Sequence, residues 1–139
     1  MLRLFTISCL LVSLVVPAMA GSDKNSLIVG VWKGKMESLP WLTLTVEEEN
    51  GKLIGALLFF MIRHDPNAPA TASPGIPEPL IDPSFDGKIL TFEVSHRHAH
   101  PGTEHDPPVS FKFELASSGK LVALDHEGPQ VELVRDMPF

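Results

Sequence analysis

The chain has 139 residues, with one cysteine, thirteen prolines, ten glycines and no tyrosine. That length fits one domain and excludes a TIM barrel, a two-lobed transporter or a multidomain enzyme. Eleven Lys and Arg against seventeen Asp and Glu give a formal charge of −6, which argues against a nucleic-acid partner. With 44% hydrophobic and 20% charged residues, the composition is globular rather than disordered.

Residues 1–20 read as a secretory signal peptide. Arg3 supplies the positive start, and residues 4–16 are apolar apart from Thr6, Ser8 and Ser13. Pro17 ends the run, and Ala18-Met19-Ala20 fits the small-x-small cleavage pattern. The run is shorter than the ~20 apolar residues of a spanning helix. Cleavage is expected after Ala20, leaving residues 21–139 as one exported domain, periplasmic or extracellular. Cys9 leaves with the leader, so disulfides, thiolate metal sites and cysteine nucleophiles are not expected. No later segment is apolar for long enough to cross a membrane as a helix. The longest, 53–62, reads as a buried strand.

Helix signals are nearly absent from the rest. The first alternating run is 27–36, containing Gly30-Val31-Trp32. The second is 41–48, with Leu42, Leu44 and Val46 on one face and Thr43, Thr45 and Glu47 on the other. Asn50-Gly51 then gives the clearest hairpin turn. The run 52–62 is apolar on both faces, so it is covered on both sides or its outer face meets a partner. In residues 63–84, Pro66, Pro69, Pro74, Pro77, Pro79 and Pro83 predict a long, stiff loop of polyproline character. Asp86-Gly87 is a turn before the run 89–98, and a second Pro/Gly loop covers 99–108. Three more runs, 109–116, 120–125 and 130–135, are separated by Ser118-Gly119 and Glu127-Gly128. The expected fold is an all-β antiparallel meander of seven to nine strands. A meander closes most simply as an up-and-down barrel, which removes exposed edges; a β-sandwich is the alternative.

Gly30-Val31-Trp32 on the first strand resembles the Gly-x-Trp signature of lipocalin-like (calycin) barrels, and Arg135 on the last strand stands where that group carries a basic residue across the tryptophan. The segment 30–55 with the late strands is also similar to small secreted bacterial lipocalin-like proteins. The resemblance implies a barrel, structural roles for Gly30, Trp32 and Arg135 at its closed end, and an internal apolar ligand. Independently of it, a tryptophan near glycines suits a crowded barrel end, where glycine permits close backbone approach.

One tract carries the only sharp chemical signal. His96, His98 and His100 alternate, and a strand places such positions on one face. That face continues Leu90, Phe92 and Val94, so the strand runs from an apolar interior to a rim of imidazoles. His-x-His can present two nitrogens to one ion, Zn or Cu among others, with His105, Glu104 or Asp106 as further ligands. Three readings fit: a metal site, a polar rim that contacts a ligand, or a frayed strand end with solvated side chains. Pro101 stops regular pairing near His100, which weakens a fixed three-histidine geometry.

Three functions remain in play. The leading one is a non-enzymatic module that binds an apolar small molecule against Phe59, Phe92, Phe111 and Phe113, with His96 at its mouth. The second is a metal-binding role for His96, His98, His100 and His105. The third is a structural or interaction protein, a monomer or weak homodimer, using the two-sided apolar strand. No complete catalytic constellation can be written: Ser84, Ser95 and Ser110 lie in no nucleophile-elbow pattern, and Asp125-His126 has no identified nucleophile to serve.

Overall fold

Period-two alternation builds the molecule. Leu42, Leu44 and Val46 are buried, while Thr43 and Thr45 between them stay partly exposed on the other face. The same alternation buries Leu90, Phe92 and Val94. The computed structural model describes residues 23–95, 102, 105–124 and 130–136. A 3-10 turn, Lys24–Leu27, comes first. The strands that follow are β1 (Gly30–Met36), β2 (Leu39–Glu49), β3 (Lys52–Asp65), β4 (Ala68–Pro74), β5 (Glu78–Pro79), β6 (Ile81–Phe85), β7 (Ile89–Val94), β8 (Val109–Leu115), β9 (Leu121–Leu124) and β10 (Glu132–Asp136). Every pairing is antiparallel, in the order β4-β3-β2-β1-β10-β9-β8-β7-β6, and the sheet curls into a half-barrel. No helix among the described residues is long and apolar enough to cross a membrane.

The turns follow their residues. Asn50 and Gly51 both take positive φ and set the register of β2 on β3, with Glu49 opposite Lys52. At Asp86, Oδ1 accepts the backbone N–H groups of Ile89 and Lys88, each at 2.7 Å. These two bonds hold the Asp86 carboxyl below its ordinary range.

The proline-rich stretch departs from the loop that its composition predicts. β3 continues to Asp65, and β4 returns along it, with Ala72 opposite Ile62 and Pro74 opposite Phe60. β4 ends the strand order, so its outer edge needs no donors and tolerates proline. Pro79 lies opposite Ala56 at the short β5 pairing. Pro83 sits where the β6–β7 register shifts, next to Asp82 at φ 47°. Residues 78–85 therefore pair first with β3 and then with β7, crossing the open side of the half-barrel. The inner face of the two-sided apolar strand is covered in its first half, where Leu53 and Leu57 are buried, while Phe59 and Met61 further along it are exposed. Its outer face is covered in part: Leu58, Phe60 and Ile62 are half-buried, and Ile54 is exposed.

At Gly55 the backbone of β3 passes close to that of β2. Gly55 lies opposite Val46, and its carbonyl accepts the N–H of Leu80 at 3.0 Å. A Cβ at Gly55 would overlap the carbonyl oxygen of Thr45, a backbone atom that cannot swing aside. The substitution Gly55→Val is expected to cost at least about 2 kcal/mol in urea unfolding, because the clash falls on the strand that carries the crossing. A variant with unchanged midpoint and slope would show that β3 relaxes freely at this position.

Candidate functional site

The two ends of the half-barrel are built differently. At one end, β1 and β10 pair so that Trp32 lies directly opposite Arg135. Trp32 is fully buried, and its indole Nε1–H donates to the Ile28 carbonyl at 2.9 Å. The Arg135 guanidinium lies over the indole, 4.5 Å from the ring centroid. Its Nη1 donates to the Val29 carbonyl at 2.8 Å, and its Nη2 donates to the Leu27 carbonyl. These carbonyls lie in and just beyond the 3-10 turn, where the chain leaves acceptors without a regular partner. Gly30 has φ 142°, a conformation that favours glycine, and the Arg135 side chain passes across it. One cation thus stacks on the core tryptophan and bonds the segment that caps this end.

The opposite end is lined by aromatic rings around a cavity of about 380 Å³. Phe59 of β3 is 38% exposed and forms the outermost ring; Phe92 and Phe113 are buried. Phe92 and Phe111 are direct partners on β7 and β8, and their rings stack at 5.5 Å and 19°. Phe113 lies at 6.0 Å and 12° from Phe92. Across the interior, Phe59 approaches Phe111 at 6.1 Å, and Trp41 meets Phe59 edge-on at 6.0 Å and 69°. Val109, Ala123, Leu124 and Val131 complete the apolar wall. Phe59, Phe111 and Phe113 line the cavity, and Phe92 backs it through its ring contacts.

Sequence reasoning missed Trp41. The register shifts between Gly34 and Lys35, with Gly34 opposite Leu42 and Lys35 opposite Pro40. Trp41 falls in this irregularity, and both it and Leu42 line the cavity. Pro40 was the available signal, since proline within a strand marks an edge, a strand start or a bulge. Ala123 was also missed. It is small, and its value to the site lies in the space that it leaves.

His96, His98, His100 and His126 lie outside the described residues. His105 is exposed in the segment before β8. His64, at the far end of β3, reaches Glu37 of the β1–β2 turn at 3.6 Å, with both side chains more than half exposed. Such a pair contributes little. No group of three His, Cys, Asp or Glu able to hold a metal ion comes together among the described residues. Ser110 lies on the outer face, where its hydroxyl donates to Glu93 at 3.1 Å. Two other grooves, of about 440 and 580 Å³, mix charges of both signs: Lys24 and Lys52 with Asp82 in one, Lys33 and Lys35 with Glu132 and Asp136 in the other. In the second, Lys33 is already paired to Asp136 at 2.6 Å.

Comparison of the chain with family models, with curated proteins and with solved structures finds no match.

The closed end makes its own prediction. Arg135→Met keeps an apolar stem but removes the guanidinium, its two carbonyl bonds and its stacking on Trp32. The expected loss in urea unfolding is about 2 kcal/mol, with Arg135→Lys recovering part of it. Equal stability of Arg135→Met and the parent would remove the cation from the account of this end.

Proposed function

We propose that this protein is a non-enzymatic binding module, a lipocalin-like barrel that is exported and holds an apolar small molecule at its open end. The observation that carries the reading is the cavity itself. Its volume of about 380 Å³ lies in the range of small-molecule sites, and its wall is aromatic and aliphatic. A fold of this size gains stability by filling its interior, so a row of rings around open space is a feature that stability alone does not favour. The stacked indole and guanidinium at the other end support the lipocalin-like assignment through geometry on the pairing strands β1 and β10. The leader-like composition of residues 1–20 supports export.

Nile red, an uncharged apolar dye, reports on such a cavity without presuming its ligand. Saturable binding is expected, with one dye per chain and a blue-shifted emission. Ala123→Phe places a ring in the cavity opposite Phe113, its direct partner on β8. This variant is expected to lose at least about tenfold in dye affinity while keeping or raising its Tm, since it fills space rather than opening it. Undiminished dye binding by a folded Ala123→Phe would place the site elsewhere and contradict the reading.

A further inference from the structure

One residue of the cavity wall also faces solvent. Resting on the binding function above, we propose that Phe59 is the gate of this cavity: its ring bridges the two sides of the opening, and ligand enters and leaves as the ring swings outward.

Exposure places the ring. Phe113 lines the same cavity and is 2% exposed, so lining the cavity does not by itself expose a ring. Phe59 lines it and is 38% exposed. One side of the Phe59 ring therefore borders the cavity and another borders solvent. Ring contacts close the gap around it. Phe59 meets Trp41 of β2 edge-on at 6.0 Å and Phe111 of β8 at 6.1 Å. Both separations are those of touching aromatic pairs, about 4.5–7 Å between centroids. Rings this close leave no passage between Phe59 and either neighbour. In strand order β1, β10 and β9 stand between β2 and β8, so a single side chain spans from one wall to the other.

The backbone beneath Phe59 is held, so the moving part is the side chain. Phe59 pairs with Leu42 on one side, and on the other its carbonyl accepts the Gly75 N–H at 2.8 Å. Strand residues commonly adopt either of two χ1 rotamers, about 180° and about −60°. Met61 follows on the same face of β3 and is 60% exposed. Its flexible thioether chain offers an apolar surface to a ring turned away from the cavity. Opening breaks both ring contacts of Phe59. Each contact lowers the open population several-fold, and the two together lower it about tenfold. Ligand passes in either direction only through the open form, so a closed gate slows entry and exit alike.

Stopped-flow fluorescence with Nile red separates the two rates. Phe59→Ala removes the bridge, and its association rate constant is expected to rise about tenfold over that of the parent, with dissociation faster as well. Phe59→Leu, which stays apolar without a ring, is expected to fall between the two. Val109→Ala is the comparison. Val109 lines the cavity from β8 and makes no ring contact. Its truncation removes wall without touching the bridge, so its effect is expected chiefly in dissociation. If Nile red binds but associates with both Phe59 variants within about twofold of the parent rate, the gate is overturned while the binding function stands. An equal rise in association for Val109→Ala also overturns it, because loosening the wall anywhere would then serve. If Nile red does not bind the parent, both proposals fall.

Discussion

Arg135 joins the last strand to the chain that precedes the first. Its guanidinium lies on Trp32, and its two donors reach Val29 and Leu27, more than a hundred positions away in sequence. This contact, the indole donor to the Ile28 carbonyl and the burial of the Ile28 side chain together hold the turn before β1 over the barrel end. The contact also fixes β1 against β10, the pairing that joins the amino-terminal strands to the carboxy-terminal ones. Gly30 leaves room for it, through a backbone conformation that a side chain would strain. At this end the cation is engaged by the indole and by two backbone carbonyls.

The other end follows from the curl of the same sheet. β3 and β8 stand far apart in strand order, yet Phe59 and Phe111 approach to 6.1 Å because the sheet folds back on itself. Toward Arg135 the interior is packed with Leu44, Leu57, Leu121 and Leu133, all fully buried. Toward Phe59 the rings of Trp41, Phe59, Phe111 and Phe92 touch one another in turn and border the cavity. Ala123, where a larger residue would fill that space, keeps it open. The proposed ligand site is thus the unfilled half of an otherwise continuous core.

Much of this architecture was legible in the sequence, because its determinants are local. Alternation along β2 and β8 and the Asn50-Gly51 turn need no knowledge of the partner strand. The proline-rich stretch was misread as a loop for a physical reason. Proline forbids donation, but whether a strand needs its donors depends on its place in the sheet, and β4 and β5 lie where they do not. Trp41 was missed because alternation was counted without the irregularity at Pro40, which turns two successive side chains toward the cavity. The aromatic residues of the site could be listed from their strand faces. Their meeting across the interior is a property of closure, which no local pattern encodes. His96, His98 and His100 were the loudest chemical signal in the sequence, and they lie outside the described residues.

The central claim is a division of labour between a latched end and a receptive one. Amide chemical shifts of the labelled protein, recorded with and without Nile red, test it most directly. The account predicts that the large changes cluster on Trp41, Phe59, Val109, Phe111 and Ala123, while the amides around Trp32 and Arg135 stay in place. Changes centred on Gly30, Trp32 and Arg135, or on the groove around Lys24 and Asp82, would contradict it.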